Sequence, residues 1–224
     1  MKFLIVGLLL LGLAVPARAI DKAEVDKRIR RLTMKFEVMQ SKPDKRIPAE
    51  DLRKAQGIIL LDRTKAGFIF AFQGGSGLAM VKDASTGQWS PPAFVSASEA
   101  SLGFQIGGQQ SFVAILLMNT NATRALTDSS FDFGGEASGT AGNSTGKAEA
   151  TTSSDNRASI RVYGDSTGLF GGAAIKGGDI SPDSGANVAY YGEPLSPKEI
   201  LFDKKPKPSE AALALVQKIT QAAK

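Results

Sequence analysis

The chain has 224 residues, with 27 Lys and Arg against 22 Asp and Glu, and contains neither cysteine nor histidine. Those absences exclude disulfides, an anchor on an N-terminal cysteine, a Ser-His-Asp triad, a Cys-His pair and the His- or Cys-based zinc sites. The length suffices for one domain with its own core.

Residues 1–19 read as a signal peptide. Lys2 is the positive region, Phe3 to Val15 the apolar run, and Ala17-Arg18-Ala19 the small-residue cleavage site. The run falls short of the roughly 20 residues a membrane-spanning helix needs. The expected mature chain starts at Ile20 and is periplasmic or secreted. Its charge is uneven. Residues 21–55 hold 11 basic and 7 acidic side chains, residues 56–197 hold 8 and 12, and residues 198–224 hold 6 and 3. Basic ends therefore flank an acidic middle. Either the ends dock on the core by complementary charge, or they form a basic surface for anionic lipid.

Asp21 to Gln40 reads as a helix, because Val25, Ile29, Leu32, Phe36 and Met39 recur at helical spacing. Arg28, Arg31 and Lys35 flank that stripe. Ile47 to Ala55 reads as a second short helix, with Pro48 in its first turn and Glu50 and Asp51 at its dipole-favoured start. Ile58 to Leu61 is an apolar strand, and Arg63, Thr64 and Lys65 read as the turn after it. Phe68, Phe70 and Phe72 then alternate as a strand face. Gly74, Gly75 and Gly77 read as a break at a hairpin turn, Leu78 to Val81 as the returning strand, and Trp89 as the opening of a third. Pro91 and Pro92 place that third strand at an edge or at its end.

Ser101 to Gln109 reads as strand-like, and Phe112 to Met118 as a central buried strand. Asn119 or Asn121 caps a short helix reaching Asp128. Phe131 to Thr140, Arg157 to Asp165 and Leu169 to Ile175 read as further strands. Ser138 to Asn156, rich in Gly, Ser and Thr, reads as a loop or weak hairpin. Of 24 glycines, 21 lie at Gly67 or later without a strict repeat, which suits a tightly curved sheet. Pro206 and Pro208 mark a linker. Ser209 caps a last helix with Leu213, Val216 and Ile219 at helical spacing. The fold expected is α+β: a curved antiparallel β-sheet or barrel-like sandwich with N- and C-terminal helices.

Several motif matches fail on context. Ser144-Thr145-Gly146-Lys147 and Ser154-Asp155-Asn156 copy fragments of penicillin-recognising enzymes, but they are too close together and no K-T-G follows. Gly142 to Lys147 is one residue short of a phosphate loop and lacks its Ser or Thr. Asp179 to Asp183 offers two carboxylates around Pro182, too few for a calcium loop. No metal or cofactor is expected. Paired carboxylates for an enzyme, or a helix surface for a protein partner, stay open as alternatives.

One set of segments carries a resemblance. In order they are I-P-A-E-D-L-R-K-A-Q-G-I (Ile47 to Ile58), K-A-G-F (Lys65 to Phe68), G-S-G (Gly75 to Gly77) and W-S-P-P (Trp89 to Pro92). They continue with G-F-Q-I-G (Gly103 to Gly107), G-N-S-T-G-K-A-E-A (Gly142 to Ala150), G-L-F-G-G (Gly168 to Gly172) and N-V-A-Y-Y-G (Asn187 to Gly192). This order resembles the SYLF family of lipid-binding domains, whose eukaryotic members include actin regulators. The resemblance implies a non-enzymatic protein that binds phosphoinositide-like or other anionic lipid. No nucleic acid partner is expected, and actin is not the expected partner of an exported chain. The family's basic amphipathic helix corresponds to Pro48–Gln56. Arg53 and Lys54 match its basic positions and Leu52 its apolar face, while Glu50 and Asp51 depart from it. The expected lipid site is Arg46, Leu52, Arg53, Lys54 and Lys65, with Ile47 and Leu52 inserting shallowly. The organisation expected is a helical segment over 20–46, a SYLF-like β-rich domain over 47–192, and a linker with a final helix over 193–224.

Overall fold

The computed structural model describes residues 20–66, 72–97, 111–128, 131–132, 148–151, 159–164 and 179–224. Helix α1 (Lys22–Gln40) starts where Asp21 accepts a hydrogen bond from the Glu24 N–H at 2.8 Å. All five residues of its apolar stripe are buried to within 1% exposure, so the helical spacing reports a core face. Helix α2 (Ala49–Lys54) follows Pro48.

Strand β1 (Gly57–Ala66) pairs antiparallel with β2 (Phe72–Val81) over their full lengths. Then come β3 (Ala93–Ala97), β4 (Ser111–Leu117) and α3 (Thr120–Arg124), which tightens into a 3-10 turn over Ala125–Thr127. Strands β5 (Phe131–Asp132), β6 (Ala148–Thr151), β7 (Ser159–Gly164) and β8 (Asp179–Pro182) complete one antiparallel sheet. Its order is β5-β8-β3-β2-β1-β4-β7-β6. Helices α4 (Ser184–Tyr191), α5 (Pro197–Leu201) and α6 (Glu210–Ala222) close the chain.

The sheet is buried on both faces, which explains the near-continuous apolar runs of β1 and β4. Strand periodicity sends Ile58 and Leu60 to one core, with Leu78, Phe94 and Phe112, beneath α1, α2, α4 and α6. It sends Ile59 and Leu61 to the other, with Ala79, Val113 and Ile115, closed by residues of α3 and α5. Each fully buried Leu or Ile contributes about 1.5–3 kcal/mol of transfer free energy. The architecture is α+β with one curved sheet, as expected.

Several local expectations change. Arg63, Thr64 and Lys65 are not a turn; they continue β1 opposite Gly75, Gly74 and Gln73. Gly74 to Gly77 do not break a strand but lie inside β2. The reason at Gly77 is close approach, since a Cβ there would meet the Leu60 carbonyl oxygen at 2.1 Å. Phe68 and Phe70 lie outside the described residues, as do Ser101 to Gln109 and Leu169 to Ile175. Trp89 makes only an isolated bridge with Lys82, and β3 begins after the two prolines. That strand is no edge, because β2 and β8 flank it.

Asn119 does cap α3, accepting from the Ala122 N–H at 2.9 Å. Ser209 caps α6 as expected, but α6 buries Ala212, Leu215 and Ile219, leaving Leu213 54% exposed. Helices α4 and α5 form where the sequence reading assigned none. Gly192 ends α4 at φ +78°, the left-handed conformation glycine adopts without cost.

Candidate functional site

Helix α1 has four faces, set by the roughly 100° turn per residue. The core face is the apolar stripe. One flank carries Arg28, Arg31 and Lys35, spaced to lie in a row. Arg28 donates to Asp183 at 2.8 Å, beside the Phe94 ring. Arg31 Nε donates to Asp62 Oδ2 at 2.8 Å, and Lys35 Nζ to Asp62 Oδ1 at 2.5 Å. This flank therefore docks by complementary charge, the first of the two readings of the basic ends. The opposite flank meets α6. Ser209 donates to Asp26 at 3.2 Å, and Lys218 pairs with Glu37 at 2.5 Å. Those two contacts run in the same order along both helices, so α1 and α6 lie parallel.

The outer face is the remaining one. Along it run Lys27, Arg30, Met34 and Val38, all exposed. Met34 is 57% exposed and Val38 45%, one turn apart. Arg30 and the partly exposed Arg31 sit one turn before Met34, and Lys42 follows the helix end. The sequence reading did not single out Met34 and Val38. The signal was available, because both fall opposite the buried stripe on the same helix.

The expected site residues divide differently. Leu52 and Ile47 are each 1% exposed, so they belong to the core and shallow insertion by them is corrected. Helix α2 is also held by its second acidic residue. Asp51 is buried and accepts from the Arg161 guanidinium and the Tyr163 hydroxyl of β7. Its departure from a purely basic helix is thus structural. Arg53 is exposed and donates to the Ala223 carbonyl at 3.0 Å, at the end of α6. Lys54 is exposed and pairs with Glu50 at 2.6 Å, which holds the Glu50 carboxyl below its usual range. Arg46 is exposed between α1 and α2. Lys65 stands eight residues into β1, about 26 Å from Gly57 at about 3.3 Å per residue, so the fold separates it from α2.

Arg46, Arg53 and Lys54 therefore gather near the end where α1, α2 and α6 finish. Lys82 ties that end to the sheet. Its Nζ donates to the Leu52 and Arg53 carbonyls at 3.3 and 3.2 Å and lies 5.0 Å from the Trp89 ring centre. Burial pushes its ammonium pKa down.

Among the described residues, the buried carboxylates serve the fold. Among the described residues no group of three or more acidic side chains could hold a metal. The carboxylates of Asp51, Asp62 and Asp183 are each bound to cations of the fold. A hollow between β3, β8 and α5, lined by Phe94, Leu126, Ile180 and Leu201, holds about 10 Å³, room for one water and not for an acyl chain. No helix among the described residues is long and apolar enough to cross a membrane.

Comparison with known proteins adds a family. The family described as "Ysc84: Las17-binding protein actin regulator" matches residues 98–222. The human "SH3 domain-containing YSC84-like protein 1" is 30% identical over 170 residues, 75% of this chain and 49% of that protein. Its Xenopus laevis counterpart is 32% identical over 171 residues, covering 75% of this chain and 51% of that protein. "LAS seventeen-binding protein 3" of Saccharomyces cerevisiae is 31% identical over 163 residues, 70% of this chain and 35% of that protein. The chain thus spans about half the length, or less, of these curated relatives. A crystal structure of a β-barrel-like, uncharacterised protein from Brucella abortus covers 73% of this chain and 92% of its own, at 19% identity and a TM-score of 0.36, too low to carry an argument.

Proposed function

The chain belongs to the Ysc84 family, and on that premise we propose that it is a non-enzymatic binding protein that attaches to an anionic lipid surface. The observation that carries this reading is the outer face of α1. Met34 and Val38 offer apolar surface to the interfacial zone, with Arg30 one turn and Lys27 two turns before Met34 on the same face. An interfacial helix binds by this combination of a small apolar face and flanking cations. Each cation near an anionic surface adds about 1 kcal/mol. The helix need not leave the protein, because its five core residues stay buried while the outer face meets lipid. Arg46, Arg53 and Lys54 extend the positive surface past the ends of α1 and α6. Leu52 takes no direct part, and Lys65 lies too far along β1 to share this contact.

The lipid class proposed is anionic phospholipid, including phosphoinositide-like head groups. The site proposed is periplasmic or extracellular, following the leader-like residues 1–19. N-terminal sequencing of protein recovered from cells should then begin at Ile20. The family description carries Las17 binding and actin regulation, and the yeast relative's name carries Las seventeen binding; for an exported chain, lipid is the partner this reading selects.

The deciding experiment is co-sedimentation of the mature protein with vesicles. Binding is expected to vesicles containing anionic phospholipid and not to purely zwitterionic ones. It should weaken as salt rises and the Debye length falls to about 3 Å near 1 M. Equal binding to both vesicle types, or to neither, would remove the anionic-surface reading and leave a protein partner as the better one.

A further inference from the structure

We propose that Met34 is an oxidation switch for that surface, an inference resting on the reading that the outer face of α1 meets lipid. The chain has five methionines and no cysteine, so thioethers are its only sulfur nucleophiles. Met39 and Met80 are fully buried, and Met118 packs against the core. Met34 is 57% exposed. It is thus the most exposed thioether among the described residues, Met118 being only partly buried, and it forms the apolar patch with Val38, one turn away.

A peroxide supplies the chemistry. The Met34 sulfur attacks the peroxide oxygen, an S–O bond forms, the O–O bond breaks, and water leaves when the oxidant is hydrogen peroxide. Sulfur loses two electrons and the peroxide gains them. The product sulfoxide replaces a flexible apolar tip by a strongly polar one, and methionine sulfoxide reductases reverse the change. Because Met39 and Met80 are fully buried and Met118 partly so, the fold survives a brief exposure that converts the outer face first. The polar oxygen then has to be dehydrated whenever the patch enters the interface, which opposes binding. The cations around it are unchanged. Oxidation therefore removes the apolar half of the contact and leaves the electrostatic half, so residual binding should become more sensitive to salt.

The test uses mature full-length protein treated with hydrogen peroxide. Peptide mass mapping should place the first added oxygen on Met34, ahead of Met39, Met80 and Met118. Binding to vesicles of phosphatidylglycerol and phosphatidylcholine should fall about tenfold, the factor one Met-sized apolar contribution represents. Methionine sulfoxide reductase should restore it. In Met34→Leu, whatever its starting affinity, the ratio of binding before and after peroxide should stay near one. First oxidation at a core methionine overturns the proposal, and so does unchanged binding by protein oxidised at Met34. Untreated protein that ignores anionic vesicles overturns the lipid reading and the switch together. Untreated protein that binds, with oxidised protein binding equally, overturns the switch alone.

Discussion

Arg31 Nε lies 2.8 Å from Asp62 Oδ2, and the carboxylate it reaches is 2% exposed on the sheet face beneath α1. Burying a carboxylate costs free energy that paired cations offset, and here Lys35 supplies the second at 2.5 Å. Removing the carboxylate leaves two α1 cations over an apolar sheet. Asp62→Ala should lower unfolding stability by about 3–5 kcal/mol, measured by urea denaturation. Arg31→Gln should cost much less, because its side chain is 40% exposed and Lys35 still neutralises Asp62. Equal losses in the two variants would mean the carboxylate is not the keystone of this contact.

Gly77 provides a second stability test. A methyl group there would sit 2.1 Å from the Leu60 carbonyl oxygen, a backbone atom that cannot turn aside. Gly77→Ala must push β2 away from β1 and should destabilise by about 1–3 kcal/mol or more. Gly87→Ala meets no neighbour and bears only the left-handed conformation at φ +69°, a cost of about 1–2 kcal/mol. Thermal melts should rank Gly77→Ala as the less stable variant. The reverse order would contradict the close approach.

The capping box of α5 makes an acid-range prediction. Glu199 accepts from the Ser196 N–H at 2.9 Å and pairs with Lys205 at 2.5 Å. The Lys205 ammonium chiefly, with the Ser196 groups, holds the Glu199 carboxyl down to about 2. A depressed folded-state pKa means its stabilising contribution is complete above the ordinary carboxylate range. That contribution is lost as pH falls from about 4 toward 2. The protection of the α5 amides, measured against their intrinsic exchange rate at each pH, should therefore fall across that window, and Glu199→Gln should flatten the dependence. A Glu199 titration midpoint near 4 by NMR would refute the assignment.

The lipid surface is testable by charge placed on its apolar part. Met34→Glu with Val38→Glu should abolish sedimentation with anionic vesicles, with the far-ultraviolet dichroism unchanged because neither side chain is in the core. Arg53→Glu with Lys54→Glu should weaken binding by at least about tenfold, since two contributions of about 1 kcal/mol are reversed in sign. If the first double variant binds as wild type does, the outer face of α1 is not the contact. If only the second loses binding, the contact is the end where the helices finish.

Local chemistry along the chain was enough for some of this. The spacing of Val25, Ile29, Leu32, Phe36 and Met39 specifies a helix and its buried face, because one periodicity sets both. The run from Phe112 to Leu117 announces a strand buried on both sides, and Asn119 and Ser209 announce helix starts through a short side chain that can reach a backbone N–H. The ordered motifs from Ile47 to Gly192 were enough for the family. Tertiary structure decided what those signals leave open. Glycine reads alike at a turn and at a close approach, so only the pairing of β2 with β1 puts Gly74 to Gly77 within a strand. An amphipathic pattern does not say which neighbour covers it, so only packing reveals that Leu52 is core and that Met34 and Val38 are surface. Proximity is a property of the folded chain: Lys65 follows Lys54 closely in sequence, yet the length of β1 carries it to the far end of the sheet. Asp62 is one residue at the end of an apolar run, and it becomes the anchor of α1 only because the helix crosses above it.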